Sequence, residues 1–463
     1  MQRLAWTQTA GLLLALTTAC VPDLAVGPGA ALPDAGQALA TLQLDAMLPH
    51  DTADAAPHDA HIKADIQPDA APLDVSLPDG ITHAMLPVVG NAHGGVLHHP
   101  RLVTVTFAGD PHAAKLGQFA AEIIHSPWWQ AVTAGYCDAP DDPSSCIGAG
   151  SDGGAFVLPF APESQYLDSV NDGAGNLQPL LLDAIAAHQL PDPATETMYL
   201  LYFPAGVGVA MVADGVHTQS CQTFNAYHHA LMVGATRAAY AIMPDCAGGN
   251  LDAITVAASH EIVEAATDPW SIATSQPNGQ ATGYALTPYN NDTQTWLRAQ
   301  LGGGEVADLC VDFTGAQTDR VAMGEFAVQR SWSNVSVQGG HDPCVPSPGP
   351  YFNVVPAKGR SYESVGLNQS KSFFAFALAD GAMAQGWTLD FFDLWSFYTG
   401  SSAVEVAFNG QDSLRVHAGD VVQVTITAVD SPDVSQWGGY GILLQSTSDD
   451  GTVHRWPVWV HVK

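Results

Sequence analysis

The cysteines are the feature that most restricts how this chain can fold. Six of the seven lie between residues 137 and 344, and no pair has the spacing of a CxxC redox motif or of a zinc ribbon. An even set of this kind is typical of exported domains that are held together by disulfides. Spacing alone leaves several pairings open, and the simplest one joins neighbours along the chain. That pairing predicts the bridges Cys137–Cys146, Cys221–Cys246 and Cys310–Cys344.

The N-terminus predicts export. Arg3 precedes an apolar run, residues 10–16, that has the length of a signal-peptide core and is too short to cross a bilayer. The sequence Thr-Thr-Ala then leads to Cys20 and resembles the lipobox of bacterial lipoproteins, in which the cysteine is acylated and becomes the new N-terminus. We therefore expect residues 1–20 to be a signal peptide with a lipidation site at Cys20. An ordinary signal peptide that is cut nearby is the alternative. Both interpretations place the protein outside the cytoplasm, as an envelope lipoprotein or an extracellular protein.

The charge of the chain argues against two classes of partner. The 46 acidic residues outnumber the 14 basic ones, which gives a net charge of −32 at pH 7. Binding to nucleic acid or to an anionic membrane surface needs Lys and Arg, so neither is expected. The membrane is expected as a partner only through the lipid anchor. Residues 45–79 are rich in Asp, Ala and Pro and cannot bury enough apolar surface to fold, so residues 21–82 are predicted to form a disordered tether.

Two folded domains are predicted after the tether. In residues 83–348, strand-like runs alternate with helical runs, which indicates an α+β or mixed α/β domain. A proline-rich linker, residues 346–350, follows. Residues 351–463 contain seven short strand-like segments at roughly ten-residue spacing, a pattern typical of an antiparallel β-sandwich. The sandwich carries no catalytic cluster, so we expect it to be a binding or stabilising module.

A helix is predicted over residues 252–268. Asn250 or Asp252 can cap its start, and Pro269 ends it. The helix carries the polar sequence His-Glu-Ile-Val-Glu from residue 260 to residue 264 in an otherwise apolar stretch. Residues four positions apart project from the same face of a helix, so the first and last members of this sequence lie side by side.

The spacing of these residues points to zinc chemistry. In zinc proteases with an HExxH helix, two ligands at this spacing hold the metal, and the Glu after the first His is the general base. Glu264 stands here where the second His is usual, and a carboxylate is an accepted zinc ligand. We therefore expect His260 and Glu264 to bind zinc, with Glu261 as the catalytic base. The helix is thus the candidate active site of a zincin-like domain.

A third ligand is expected from the segment Gly-Glu-Val-Ala-Asp-Leu-Cys, residues 304–310. It resembles glutamate-type zincins, in which a later helix supplies a Glu ligand and a nearby Asp orients the first His. The resemblance implies that Glu305 binds the metal and that Asp308 orients His260, although the two roles could be exchanged. Asp268, at the end of the first helix, is expected to support the site in the same way. The simpler alternative is that Glu305 and Asp308 cap a turn.

An upstream histidine is the other candidate for chemistry. His228 lies in the segment Phe-Asn-Ala-Tyr-His-His that follows Cys221. His228 or the preceding Tyr227 could face the site as an electrophile or as an additional ligand. A purely structural histidine is the competing interpretation.

Taken together, these segments resemble the phosphate-induced protein family typified by plant Exordium proteins. Proteins of that family carry a similar His-Glu-x-x-Glu helix followed by Glu-Ile-Ala-Asp-Leu-Cys. The segment from Cys221 to His228 resembles their Cys-Gly-Phe-His sequence, and residues 326–332 with Cys344-Val345 resemble their closing Phe-x-Val-Gln-x-x-Trp and Cys-Val-Gly. The resemblance covers roughly residues 95–345 and implies an extracellular protein associated with cell walls. The long insert over residues 270–304 departs from the family pattern.

Three functions are compatible with these observations. The first is an exported zinc-dependent hydrolase of the peptidase type. The second is a protease-like scaffold without activity that binds a peptide, a cell-wall component or a surface ligand, with the sandwich adding avidity. The third gives the polar residues of the helix only a structural role. Two carboxylate ligands donate more negative charge than two histidines do, which weakens the Lewis acidity of zinc and counts against the first function.

Overall fold

The computed structural model describes residues 84–463 apart from short gaps. The gaps are residues 93, 140–141, 170–173, 214–215, 271–282, 287–290, 300–303, 315–319, 348, 358–360, 384 and 432–438. The predicted signal peptide, its lipidation site at Cys20 and the predicted tether lie outside the described residues. None of the helices in the described part of the chain combines the length and the apolar character that crossing a membrane requires.

The N-terminal domain extends to Val345 and contains several small sheets around one larger sheet. Its elements are, in chain order, β1 (Gly90–Asn91), β2 (Arg101–Phe107), α1 (Ala113–Ile123), α2 (Pro127–Thr133), a 3-10 turn (Pro143–Ser145), β3 (Ser151–Leu158), β4 (Gln165–Ser169), α3 (Leu177–Ala186), β5 (Thr197–Phe203), β6 (Gly208–Ala213), β7 (Val216–Gln219), β8 (Tyr227–Val233), β9 (Thr236–Pro244), α4 (Leu251–Thr267), β10 (Tyr284–Ala285), α5 (Asn291–Ala299), α6 (Asp308–Thr314), β11 (Arg320–Met323), β12 (Phe326–Gln329), β13 (Ser331–Trp332), α7 (Asn334–Gly339) and β14 (Cys344–Val345).

The larger sheet has five strands in the order β3-β2-β5-β9-β8. The first four are parallel, and β8 runs antiparallel at one edge. Every residue of β5 is buried, as a central parallel strand covered on both faces requires. Successive side chains of a strand point to opposite faces, so the sheet serves two cores. Val103 and Tyr199 pack in the core that contains α3, whereas Leu102 and Leu200 pack in the core that contains α1 and α4.

Helix α4 lies in the middle of the second of these cores. The Asn250 side chain accepts hydrogen bonds from the first free backbone N–H groups of the helix, and the helix ends at Thr267, two residues before Pro269. From Ile254 onward nearly every residue is buried, because the sheet covers one side and β12 covers another. A helix that is buried all round must find partners for its polar side chains inside the protein.

The C-terminal domain is a sandwich of two sheets. Its elements are β15 (Phe352–Pro356), β16 (Tyr362–Val365), β17 (Ser370–Ala379), β18 (Trp387–Asp393), α8 (Leu394–Thr399), β19 (Val404–Phe408), β20 (Leu414–Val416), β21 (Val421–Ala428), β22 (Tyr440–Thr447) and β23 (Val453–Val462). One sheet has the order β15-β17-β21-β19 and the other β16-β23-β22-β18-β20. All pairs are antiparallel except β16 with β23.

The two domains pack together through one continuous apolar core. Trp296 of α5 packs edge-on against Trp456 of β23, with ring centroids 5.2 Å apart. A buried ionic cluster lies at the same junction. The Arg330 guanidinium donates to Asp342 Oδ2 at 2.6 Å, and His454 Nε2 of β23 is 3.5 Å from the same oxygen. The sandwich therefore supports the fold of the N-terminal domain directly.

The disulfides predicted from the cysteine pattern are present. The structure joins Cys137 to Cys146, Cys221 to Cys246 and Cys310 to Cys344. The third bridge connects α6 to β14 and so ties the start of α6 to the end of the domain. The first is a short connection in the loop between α2 and β3.

The protein is rich in β-strands, which contain more residues than the helices in both domains. The α+β or mixed α/β prediction for the N-terminal domain captured the alternation of helices and strands there. Each of the seven strand segments predicted in residues 351–463 contains a strand of the sandwich, namely β17 to β23. The sequence did not indicate β15, β16 or α8. β15 and β16 are short and follow the prolines of the linker closely, and β16 pairs parallel to a strand almost a hundred positions later.

Candidate metal centre

Helix α4 brings three ionisable side chains into the interior of the N-terminal domain. His260 is 1% exposed, and Glu261 and Glu264 are fully buried. A buried charge without a partner is costly, so such groups are found paired, protonated or bound to metal. The surroundings of each side chain decide among these states.

His260 has one ring nitrogen fixed by a neutral partner. Its Nδ1 lies 3.0 Å from Gln329 Oε1 of β12. The Gln329 amide is itself oriented, because its Nε2 donates to the Ala307 carbonyl at 2.9 Å. The amide oxygen therefore faces the ring, and Nδ1 must carry the hydrogen. Nε2 is therefore the nitrogen that can give up its proton and present a lone pair, which is the form in which histidine binds metals. Burial lowers the pKa of His260, but the carboxylates around Nε2 outweigh it and raise the pKa overall.

The Nε2 of His260 faces two carboxylates. Glu264 Oε2 lies 3.1 Å away and Asp308 Oδ1 lies 3.6 Å away. Among the described residues, His260 Nε2 and Glu264 Oε2 have no hydrogen-bond partner of proper geometry. The three atoms form a compact group with the dimensions of a metal site. Three atoms that each offer a lone pair repel one another unless a proton or a cation lies among them.

Glu264 is held in place from its other side. Its Oε1 accepts hydrogen bonds from the backbone N–H groups of Ala307 and Asp308, at 3.2 and 3.1 Å. These groups lie at the start of α6, and the bridge from Cys310 to Cys344 anchors that helix. Burial raises the pKa of Glu264, but the facing His260 imidazole outweighs it, and the pKa is lower than usual. Glu264 is accordingly a carboxylate, and its second oxygen is directed at His260.

His228 of β8 lies on the other side of the same group. Its Nε2 is 3.2 Å from the backbone carbonyl of Asp268, and its Nδ1 is 3.2 Å from Glu261 Oε2. Nδ1 also lies 3.9 Å from Glu264 Oε2, and these three side chains form a second compact group. Burial lowers the pKa of His228, but the neighbouring carboxylates outweigh it and raise the pKa overall. Burial raises the pKa of Glu261.

Glu305 lies at the margin of the site. It is buried beside Glu264, and burial together with the Glu264 charge raises the pKa of Glu305 well above its usual range. The same two causes raise the pKa of Asp308 well above its usual range. Neither compact group of potential ligands contains Glu305.

Asp268 supports the site through its backbone rather than through a ligand contact. Its carbonyl faces His228, and its side-chain Oδ1 accepts from the Gly283 N–H at 2.8 Å. A Cβ at Gly283 would lie 2.3 Å from the Thr267 carbonyl oxygen, so only glycine allows this close approach. The end of α4 is thereby fixed where it orients His228.

Asp308, rather than Glu305, is the acid of this segment that lies next to His260. Asp308, expected to orient His260, approaches its Nε2, the nitrogen that also faces Glu264. Glu305, expected as the third ligand, contacts Glu264 instead. The backbone N–H groups of Gly304 and Glu305 donate to Asp308 Oδ2 at 3.1 and 3.4 Å, and Oδ1 is the oxygen that lies near His260. Gln329 is the orienting residue, and the sequence analysis assigned it no role. The Val-Gln of the family-like segment over residues 326–332 was the available signal.

No family model matches the chain, and no curated protein matches it. Domains 4 and 5 of the S-layer protein SbsC align with 25% of this chain and 53% of theirs, at 14% identity and a TM-score of 0.17. The chain thus spans about half the length of that structure. The BIgI domain of the beta protein from S. agalactiae aligns over 25% of this chain and 97% of its own, at 19% identity and a TM-score of 0.16. A nucleoside hydrolase-related hypothetical protein from Saccharophagus degradans aligns over 79% and 100%, at 8% identity and a TM-score of 0.25. Scores this low support no conclusion about a shared fold or function.

Proposed function

We propose that the N-terminal domain is zincin-like, holds a zinc ion on His260, Glu264 and Asp308, and acts as a hydrolase of the peptidase type. The observation that carries this proposal is the convergence of His260 Nε2 with two carboxylate oxygens at 3.1 and 3.6 Å, while Gln329 keeps the proton on the other ring nitrogen. The choice of Asp308 as the third ligand follows the distances rather than the sequence pattern.

The donor atoms fit zinc in kind and in spacing. Zinc binds imidazole nitrogen and carboxylate oxygen at about 2.0–2.2 Å, so two ligand atoms of a tetrahedral ion lie about 3.3 Å apart. The distances from His260 Nε2 to Glu264 Oε2 and to Asp308 Oδ1 are close to that value. A dication also offsets the negative charge of the buried carboxylates, which are otherwise ionised only at a large cost.

Glu261 and His228 would supply the proton chemistry. When bound, zinc polarises a substrate carbonyl and lowers the barrier to attack by water. Glu261 follows the first ligand on the same helix, and its Oε1 has no hydrogen-bond partner among the residues that the structure describes. As a carboxylate it can accept the proton of an attacking water. His228 Nδ1, 3.2 Å from Glu261 Oε2, can pass that proton on.

The sheet favours a peptide as the substrate. Among the described residues β8 is paired on one side only, with β9, and it is the strand that carries His228. An extended peptide can add to such an edge through backbone hydrogen bonds. A peptide bound there would lie next to the side chains that we assign to catalysis.

The experiment is a comparison of Glu261→Gln with the parent protein. We expect the purified parent to contain zinc and to cleave a mixture of fluorogenic peptides, with activity lost on chelation and restored by zinc. Glu261→Gln should keep the zinc held by His260, Glu264 and Asp308 and lose cleavage. Glu325→Gln, which makes the same change in a surface pair with Lys115, is the matched control and should match the parent. A parent protein without zinc contradicts the proposal, and zinc without cleavage refutes its catalytic part.

A second function is favoured by the burial of the site. His228, His260, Glu264 and Asp308 are each less than 5% exposed. Structural zinc sites are closed, whereas catalytic ones keep a position open to substrate. In this interpretation the metal stabilises a protease-like scaffold that binds a peptide or a cell-wall ligand at the cell surface. Zinc removal would then unfold the domain, and Glu261→Gln would change no activity because the parent has none.

Export and anchoring belong to the same proposal. Three disulfides fit an oxidising compartment, and we propose that the chain is exported and acylated at Cys20. The proposed likeness to the Exordium-type family agrees with an extracellular location. Cys20→Ser should move the protein from the membrane fraction to the soluble fraction without changing its thermal unfolding. An unchanged distribution would rule out the lipid anchor.

A further inference from the structure

We infer that the centre binds two divalent cations, with the second on His228 Nδ1 and Glu261 and with Glu264 Oε2 as the shared ligand. This inference rests on the proposed function, because it adds an ion to the centre proposed there. It follows from how His228 is held, a feature that the one-ion centre does not require.

The two histidines are oriented in the same way. In each ring one nitrogen lies next to a fixed neutral acceptor. For His260 this nitrogen is Nδ1, next to Gln329 Oε1, and for His228 it is Nε2, next to the Asp268 carbonyl. The other nitrogen, Nε2 of His260 and Nδ1 of His228, faces carboxylate oxygens. An imidazole held like this presents a lone pair to its interior neighbours, and this is how proteins fix the tautomer of a metal-binding histidine.

Glu264 Oε2 lies between the two imidazoles. It is 3.1 Å from His260 Nε2 and 3.9 Å from His228 Nδ1, and no described residue offers it a hydrogen bond of proper geometry. Two ligands of one ion with bonds of about 2 Å are separated by about 3–4 Å, so both distances suit a shared oxygen. Metal pairs in two-ion sites are about 3.5–4 Å apart, which an oxygen in this position can bridge.

Glu261 provides the remaining donor. Its Oε2 lies 3.2 Å from His228 Nδ1, and its Oε1 is buried and has no hydrogen-bond partner within the described part of the chain. An unpartnered carboxylate oxygen in the interior costs free energy, and a cation beside it removes that cost. In the one-ion centre a proton lies between Nδ1 and Oε2. In the two-ion centre the second cation replaces this proton, so Glu261 Oε2 becomes a ligand, and Oε1 keeps the role of base that the proposed function gives to Glu261.

The charges of the cluster agree with two ions. Glu261, Glu264 and Asp308 are buried and face two imidazoles, and Glu305 is buried beside Glu264. Asp268 is a fifth buried carboxyl next to them. One dication leaves more of this negative charge uncompensated than two dications do.

Metal stoichiometry tests the inference. The full-length exported protein is refolded with excess Zn²⁺, desalted and analysed for metal, and we expect about two equivalents per chain. His228→Gln should retain about one, and so should Glu261→Gln, which is the second variant in case the first fails to fold. His229→Gln is the matched control. His229 is buried on the same strand, its Nδ1 lies against the backbone of Ala230, and neither ligand group contains it. It should retain about two.

Manganese gives an independent measurement on the unmodified protein. With Mn²⁺ in place of zinc, we expect the electron paramagnetic resonance spectrum of an exchange-coupled pair rather than of isolated ions. Three results together would overturn the second site: one equivalent of zinc in the parent, the same amount in His228→Gln, and the manganese spectrum of isolated ions. The proposed function would then still stand. No bound metal in the parent overturns both.

Discussion

Gln329 is the residue through which the orientation of the centre can be tested without touching a ligand. The Gln329→Met change keeps the length of the side chain and removes both of its hydrogen bonds. His260 Nδ1–H loses its acceptor at 3.0 Å, and the Ala307 carbonyl loses its donor at 2.9 Å. Loss of a partner that orients a metal-binding histidine weakens metal affinity by about 10–100-fold.

The same change also lowers stability by a calculable amount. Each buried group left without a partner costs about 1–3 kcal/mol, so the two together lower the free energy of unfolding by about 2–6 kcal/mol. Gln329→Glu separates the two effects. A carboxylate still accepts from Nδ1–H but cannot donate to the Ala307 carbonyl, so stability should fall while metal affinity falls less than in Gln329→Met.

Zinc affinity is measured by competition with a chromophoric chelator, and stability by urea unfolding. Gln178→Met is the matched control, because Gln178 donates at 3.1 Å to both Asp168 and Tyr240 away from the centre. It should destabilise the protein and leave zinc affinity unchanged. If Gln329→Met binds zinc as tightly as the parent, or if Gln178→Met weakens zinc equally, Gln329 does not orient the centre.

Two further outcomes follow from the packing around the site. The bridge from Cys310 to Cys344 closes a loop with a sequence separation of 34. Replacing both cysteines with serine should lower the free energy of unfolding, measured in urea, by about 4 kcal/mol. The same replacement at Cys137 and Cys146 should lower it less, because that bridge closes a shorter loop with a separation of 9. Equal losses would contradict the argument from loop length. At the domain junction, burial raises the pKa of Asp342, but His454 and Arg330 outweigh it and hold the pKa below its ordinary value of 3.8. The ionised Asp342 therefore contributes fully to the free energy of unfolding at pH values above 3.8. This contribution is lost as the pH falls through the lower pKa that Asp342 has in the folded protein. Asp342→Asn should lower the free energy of unfolding by about 3–5 kcal/mol at pH 7. It should also weaken the fall of stability at acid pH. An unchanged acid side of the stability–pH profile would show that Asp342 does not cause that fall.

The parts of the site that the sequence predicted are those set by local geometry. Asn250 and Pro269 mark the ends of α4, and the period of the helix places His260 next to Glu264 whatever surrounds them. The neighbour pairing of the cysteines is confirmed as well. These features depend on residues that are close along the chain.

The parts that the sequence could not predict depend on distant contacts. Gln329 meets His260 across 69 positions, and no pattern in either segment specifies that contact. Glu305 and Asp308 are three positions apart with similar chemistry, so only the path of the backbone into α6 decides which one faces the histidine. To predict that His228 lies beside α4, one must know where β8 lies relative to that helix, and the order of strands in the sheet determines this.

The most direct measurement of the central claim is anomalous diffraction at the zinc edge from crystals of the zinc-loaded protein. We expect a peak at about 2.0–2.2 Å from His260 Nε2, Glu264 Oε2 and Asp308 Oδ1. A map with no peak at His260, or with a peak whose ligands leave out His260 and Glu264, would contradict the account.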